Sequence, residues 1–524
     1  MTSGQGHANS SKRQLLLNAA SSYTSLIASL ILSVLVTRVL LRHLGAGTYG
    51  LWIVLLGLVG YLGLLDAGVS TALTQRIARL TARGDRDGIA NLLRTAWLFF
   101  SVSGAAAVLI VIVVAPFLAS ILHLGPIDPT VAGTTLILLG VMKATMFLNS
   151  APVAVLFGSG RADRSEQIGL GFILTTQTSQ VVVVLAGGGL VGLGVVTLVT
   201  ALGGLAVNTI VVRRMHGDAA RGGRFDRAGL GDLLRFGSRN MAIALSSTVS
   251  YGLDAVIIGI ILPVAQVAPY DIALSTANLT RSLTTQGTNL LLPTYAHFDS
   301  VEDHAQQARI FSRSVLIGLA VALPILVALA GFGYPILKLW LGTVPPRTYS
   351  IMIALGIVTT IQLPGQQCFT YLTGIGRNRV IVRLSIVGAI VNLAGTVVFT
   401  YLLGPIGPAI GSLPVVVVIE FTLLPLIACR YLGIRFRRYV TSALVPSLPI
   451  GAAAGAVTLL ALWLFPAPGG ATTLQAGIRA AVCAAAACLV AWVVALVVFA
   501  RLEPDLFASV LRRFRGTPKE TTAE

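Results

Sequence analysis

Residues 314–336 read SVLIGLAVALPILVALAGFGYPI, a stretch of twenty-three residues without a charged side chain. A helix of this length rises roughly 35 Å, which is enough to cross a hydrocarbon layer of about 30 Å. Arg309 and Arg313 precede the stretch and Lys338 follows it. The stretch therefore predicts a transmembrane helix, and the same design recurs along the chain.

Fourteen apolar runs of this kind are joined by short connections. They lie at about 15–41, 47–67, 95–122, 131–157, 167–187, 190–212, 240–262, 271–296, 314–336, 348–373, 380–402, 409–429, 440–465 and 477–500. The chain of 524 residues is 55% hydrophobic and only 11% charged, with a mean hydropathy of +0.86. Because these values exclude an ordinary soluble domain, we predict an all-α polytopic membrane protein with about fourteen transmembrane helices.

The positions of lysine and arginine predict the orientation of the chain. The N-terminal segment, the connections after even-numbered runs and the C-terminal tail hold 30 of the 37 Lys and Arg residues. Since positive charge concentrates in cytoplasmic loops, we expect a multi-pass plasma-membrane protein with both termini in the cytoplasm. The net charge of +18 is spread over many connections, a pattern that argues against nucleic-acid binding.

An internal repeat divides the chain into two halves. The segment LFGSGR at 156–161 corresponds to LTGIGR at 372–377, and each follows the fourth run of its half. Six runs separate the two copies, an even number, so the sequence predicts two parallel six-helix lobes followed by two further helices. Such duplicated bundles are typical of transporters whose substrate site lies between the halves.

The predicted boundaries follow from the runs. They are a cytoplasmic tail at 1–14, an N-terminal lobe at 15–212, a basic linker at 213–239, a C-terminal lobe at 240–429, two last helices at 430–500 and a cytoplasmic tail at 501–524.

Polar side chains within the runs indicate a hydrated cleft. Asn278, Arg281, Thr285 and their polar neighbours recur at three- and four-residue spacing, so they share one face of a helix. Tyr251 and Asp254 belong to a similar face in the seventh run. A charge at the bilayer centre costs about 2.5–3.5 kcal/mol. Packing through small polar residues is the alternative interpretation, but packing does not require the guanidinium of Arg281.

These patterns predict two groups of functional residues. The expected substrate-binding residues are Arg281, Lys143, Arg38, Asn278, Thr285 and Tyr251. Asp254 and Glu420 are candidates for ion coupling or substrate release, although Glu420 is also placed to pair with a group of the tenth run, and Lys143 with an acidic neighbour. We expect no metal site and no cofactor, and leave coupling to H⁺ or Na⁺ open.

Six stretches of the sequence form an ordered set of motifs: TRVL at 37–40, LGAGTYGLW at 44–52, LLDAGVSTA at 64–72, LDAVIIG at 253–259, YDIA at 270–273 and GPIG at 404–407. Together they resemble Wzx-type polysaccharide flippases of the multidrug/oligosaccharidyl-lipid/polysaccharide (MOP) exporter superfamily. The resemblance runs from about residue 12 to residue 430. It implies a MATE-like fold that carries undecaprenyl-pyrophosphate-linked oligosaccharide from the inner to the outer leaflet by alternating access, for cell-surface polysaccharide biosynthesis.

The expected partners are therefore the lipid-linked oligosaccharide, membrane lipids and other polysaccharide-assembly proteins. A cation-coupled multidrug antiporter and a flippase for the peptidoglycan precursor are the alternatives within the same superfamily. We expect no enzymatic activity, because the outward connections are short and carry few acidic residues.

Overall fold

A computed structural model describes the backbone of residues 4–217, 223–227, 229–235, 237, 252–289, 291–465 and 472–502, with side chains from Leu32 onward except at 216, 286, 287, 289 and 293. The helices are α1 (Gly4–Tyr61), α2 (Val69–Arg83), α3 (Arg86–Val114), α4 (Pro129–Gly158), α5 (Ala162–Leu185), α6 (Gly189–His216), α7 (Asp254–Ile261), α8 (Val267–Asn289), α9 (Leu292–Ser300), α10 (His304–Leu341), α11 (Thr348–Gly374), α12 (Asn378–Leu403), α13 (Gly407–Val415), α14 (Leu424–Tyr431), α15 (Leu448–Leu464) and α16 (Thr473–Leu502). These ranges contain no β-strand, only an isolated bridge between His123 and Pro263.

Ten helical segments among the described residues are long and apolar enough to cross a membrane. The segment Leu32–Asp66 covers parts of the first two predicted runs, and Asn378–Tyr431 covers the eleventh and twelfth. The polar helix α8 is not one of the ten, and the seventh run is described only from residue 252. The prediction of a multi-pass, all-α membrane protein is confirmed, while the count of fourteen spans stays a prediction.

A single break divides the long helix α1. Gly45 has φ 77° and ψ 164°, which is not helical, whereas the residues on both sides of it are. This backbone conformation is essentially restricted to glycine, because a Cβ atom would collide with the neighbouring peptide groups. The break lies between the first and second predicted runs, where the sequence predicted a short connection.

Two chain reversals reproduce the internal repeat in three dimensions. Gly160 after α4 and Gly376 after α11 have φ angles of 74° and 73°. In each case the next amide closes the turn, with Arg161 N donating to Leu156 O at 2.9 Å and Arg377 N donating to Leu372 O at 2.8 Å. Both reversals are glycine C-caps of one type, so the two copies of the motif have the same local structure.

The helices that open the third span of each half are capped in the same way. Asp85 accepts a hydrogen bond from Gly88 N at 2.8 Å at the start of α3, and Asp303 accepts one from Gln306 N at 2.9 Å at the start of α10. An aspartate at this position satisfies an amide that has no partner within the helix. The two halves therefore also share this helix cap, which lies outside the repeated motif at 156–161 and 372–377.

The chain divides into two compact units, Met1–Ile272 with Ser385–Gly411 and Ala273–Leu384 with Ser412–Glu524. In the first unit α4 packs against α2, α3 and α6. Part of the basic linker folds onto this unit, since Arg76 forms an ion pair with Asp232 at 2.8 Å and Arg224 N donates to Asn91 Oδ1 at 2.6 Å.

The second unit is organised around α10, which packs against α11, α15 and α16. Its core holds a cluster of fully buried aromatic rings, in which Tyr371 lies 5.3 Å from Tyr295 and 5.6 Å from Phe311 between ring centroids. On the other side of α10, buried Ala454 and Ala491 let α15 and α16 approach closely. The two C-terminal helices thus belong to this unit's core.

Candidate functional site

The predicted polar face of α8 is present in the structure. Asn278, Arg281 and Thr285 are partly buried and lie on one side of the helix, whereas Leu279 and Leu283, each 37% exposed, lie on the opposite side. In a membrane-spanning helix, exposed leucines are expected to face lipid and polar groups to face protein or a water-filled cavity. The structure therefore brings together three of the six predicted substrate-binding residues on one helix.

Arg281 forms several hydrogen bonds within its own helix. Its Nη2 donates to Asn278 Oδ1 at 2.7 Å, and its backbone carbonyl accepts hydrogen bonds from Thr284 Oγ1 at 2.8 Å and Thr285 Oγ1 at 2.9 Å. The guanidinium is a planar fork of five donors that matches phosphate oxygens. Asn278 thus orients a group whose chemistry suits a phosphate-bearing ligand.

The polar side of α8 continues into a contact with α11. Gln367 Nε2 donates to Thr288 Oγ1 at 2.7 Å, and both side chains are buried. Gln367 lies in the tenth predicted run, so this hydrogen bond joins the eighth and tenth runs.

Asp254 lies at the start of α7 among hydroxyl groups of the first unit. Tyr270 Oη donates to its Oδ2 at 2.5 Å, and Thr396 Oγ1 donates to its Oδ1 at 3.4 Å. The hydroxyl of Tyr61, near enough to interact electrostatically with Asp254, is buried and has no hydrogen-bond partner among the described residues. A carboxylate with such neighbours can accept a proton or bind a small cation.

A second carboxylate of this unit, that of Asp271, lies in the second turn of α8, which begins at Val267. Tyr49 Oη donates to Asp271 Oδ2 at 2.6 Å. Both residues belong to motifs of the family resemblance, which was the available signal, yet nothing in the sequence showed that they are paired.

Lys143 lies in α4 with its Nζ 5.5 Å from the centroid of the Phe147 ring. It interacts electrostatically with Asp66, whose carboxylate also accepts hydrogen bonds from Ser70 N at 3.2 Å and Ser70 Oγ at 2.8 Å. Asp66 is thus the acidic neighbour that the sequence offered as an alternative to a substrate contact.

Glu420 lies in a π-helical segment, Val416–Leu423, between α13 and α14. Gln362 Nε2 of α11 donates to Glu420 Oε1 at 3.1 Å, which confirms the predicted pairing with a group of the tenth run. Arg38 is exposed on α1, and Tyr251 lies outside the described residues. Within the described part of the chain, no group of three or more His, Cys, Asp or Glu side chains could hold a metal ion.

Comparison with known proteins identifies the fold. A sequence model of the family described as "Polysaccharide biosynthesis protein" matches residues 35–344, more than half of the chain. The lipid II flippase MurJ in an inward closed conformation is similar in structure, with a TM-score of 0.71 and 12% identity over 92% of this chain and 99% of that chain.

An inward-facing multidrug resistance MATE family transporter of the MOP superfamily is also similar, with a TM-score of 0.63 and 16% identity over 77% of this chain and 95% of that chain. No curated protein matches the chain in sequence. The predicted MATE-like fold is therefore confirmed.

Proposed function

Since the chain belongs to the polysaccharide biosynthesis protein family and has the fold of MOP-superfamily flippases and transporters, we propose that it flips undecaprenyl-pyrophosphate-linked oligosaccharide from the inner to the outer leaflet. The charge pattern predicts cytoplasmic termini in the plasma membrane, where an inside-negative potential favours outward movement of an anionic substrate. The partners are then the lipid-linked oligosaccharide, membrane lipids and other polysaccharide-assembly proteins.

The observation that carries this proposal is the position of Arg281. Its guanidinium lies on the polar side of α8, oriented by Asn278 at 2.7 Å and flanked by Thr285. Charge-assisted bidentate contacts to phosphate are among the strongest hydrogen bonds in proteins, and arginine keeps its charge at any physiological pH. Arg281 is the proposed pyrophosphate contact, with Lys143 and Arg38 as secondary candidates.

Release of the substrate requires a competing interaction. Asp254 is the proposed group, because hydroxyl donors stabilise its carboxylate without neutralising it. Binding of H⁺ or Na⁺ to Asp254 would couple transport to an ion gradient, and Glu420 is a second candidate for this role. The membrane potential assists as well, since moving two negative charges outward from an inside-negative cell is favourable by roughly 4–5 kcal/mol per 100 mV.

Replacement of Arg281 tests the proposal directly. In cells that depend on this protein for glycan export, Arg281→Ala is expected to reduce surface glycan roughly 10- to 100-fold at equal protein levels, because a charge-assisted hydrogen bond contributes about 1.5–3 kcal/mol. Arg281→Lys is expected to restore only part of the activity, since a point charge cannot reproduce a bidentate contact.

Arg379→Ala is the matched control, because Arg379 is exposed on α12 and the same change there should leave export intact. Export at the wild-type rate by Arg281→Ala would refute the assigned role. Reconstituted transport of lipid II, or of cationic drugs, in preference to the lipid-linked oligosaccharide would instead favour the peptidoglycan-precursor flippase or the multidrug antiporter.

A further inference from the structure

A cavity of about 540 Å³ lies within the second unit, away from the residues discussed above. It is formed by the first turns of α10, the segment that follows α14 and the last turn of α16. Fourteen of the described residues line it; three of them are arginines, Arg309, Arg313 and Arg438, and none of the fourteen is an aspartate or glutamate. The cavity is therefore a basic site of the size typical of small-ligand pockets.

A bound anion would offset the repulsion between the positive charges that line this cavity. Arg309 and Arg313 lie one turn apart on α10, a spacing at which like charges repel. The nearest acidic group in sequence, Asp303, uses its carboxylate to cap α10 through Gln306 N at 2.9 Å. The N-terminus of this long helix adds the positive end of its dipole to the same region.

Hydroxyl groups and an apolar wall complete the cavity. Ser442 Oγ donates to Ser312 Oγ at 3.2 Å, so two hydroxyls lie beside the arginines. Leu316 follows one turn further along α10, and Phe499 and Leu502 contribute from α16. One cavity thus combines phosphate-binding side chains with a surface that suits an acyl chain.

We propose that this cavity binds an anionic membrane phospholipid, with the phosphate between Arg309, Arg313 and Arg438 and an acyl chain along Phe499 and Leu502. Basic pockets between transmembrane helices on the cytoplasmic side are suited to lipid headgroups, and the charge pattern predicts that the start of α10 lies on that side. The ligand is a resident lipid rather than the cargo, so the inference does not depend on the proposed transport function.

Native mass spectrometry of the full-length protein tests the proposal with phosphatidylglycerol as the probe. The wild type is expected to retain one phosphatidylglycerol at least tenfold more tightly than phosphatidylcholine, because only the former carries a net negative charge. Arg309→Gln combined with Arg438→Gln should reduce retention at least tenfold. Both side chains are exposed, so the variant is expected to fold, as gel filtration can verify.

Arg437→Gln is the matched control, since Arg437 is the exposed neighbour of Arg438 but does not line the cavity. Equal retention of phosphatidylglycerol and phosphatidylcholine, or unchanged retention in the double variant, would overturn the proposal. So would displacement of phosphatidylglycerol by millimolar inorganic phosphate, which would indicate a site for free phosphate. Tighter binding of a polyprenyl pyrophosphate to the same residues would mean that the cavity receives the cargo.

Discussion

At the scale of single residues, Asp254 and Arg281 differ in how they are held. Hydroxyl groups that come from other helices surround the carboxylate of Asp254, namely those of Tyr270 and Thr396. Arg281 receives its orientation from Asn278, one turn away on the same helix. The position of Asp254 therefore depends on packing between helices, whereas the contact between Arg281 and Asn278 is local to α8.

We expect Asp254→Asn to remove the dependence of transport on an ion gradient. The amide keeps a hydrogen-bond acceptor for Tyr270 but can neither take up a proton nor supply a negative charge to Na⁺. Transport into proteoliposomes, measured with and without an imposed H⁺ or Na⁺ gradient, checks this expectation.

Glu420→Gln serves as the comparison, because it changes a carboxylate of the other unit in the same way. If only the Glu420 variant lost its response to the gradient, the coupling role would belong to Glu420. A full wild-type response in both variants would show that neither carboxylate couples transport to an ion.

At the scale of secondary-structure elements, the break in α1 separates two apolar runs that would otherwise form one helix of 58 residues. A straight helix of that length would rise roughly 87 Å, far more than the bilayer thickness. The non-helical backbone at Gly45 is thus what allows the first two runs to serve as separate spans.

We predict that Gly45→Ala destabilises the protein by about 1–3 kcal/mol, because a residue with a Cβ atom is strained at φ 77° and ψ 164°. Thermal unfolding in detergent should show a lower transition temperature. Gly47→Ala is the control, since Gly47 is helical and its added methyl group would meet no atom within 4 Å. Equal transition temperatures for the two variants would contradict the prediction that a Cβ atom at position 45 strains the backbone.

At the scale of the whole molecule, the lengths of the apolar segments and the positions of the basic residues both indicate a multi-pass membrane protein. Ten segments among the described residues satisfy the requirements for spanning, and the basic residues are concentrated in alternate connections. The paired helix ends at Gly160 and Gly376 show in addition that the two halves repeat one design.

The predicted topology places 213–239 inside and 466–476 outside the cell. In a cysteine-free background, Ala219→Cys should react with a thiol reagent only after the membrane is permeabilised, and Ala471→Cys should react in intact cells. Positive charge retains the first segment in the cytoplasm. Tags at residues 1 and 524 should both be protected, and labelling of only one of them from outside would contradict the even number of spans.

The sequence by itself determined that the chain is an all-α, multi-pass membrane protein and that one helix-ending motif occurs twice. These are local properties: a membrane helix satisfies its backbone hydrogen bonds internally, and a glycine cap such as that at Gly376 needs only its own turn. The polar face of α8 was predicted for the same reason, since helical spacing alone aligns Asn278, Arg281 and Thr285.

Tertiary structure alone decided the partners of these groups. Thr396 is 142 positions from Asp254, Tyr49 is 222 positions from Asp271, and the arginine-lined cavity collects residues from three separate segments. Each of these contacts depends on how one helix is rotated and shifted against another. That geometry results from side-chain packing over the whole interface, and no pattern within a single run of sequence contains it.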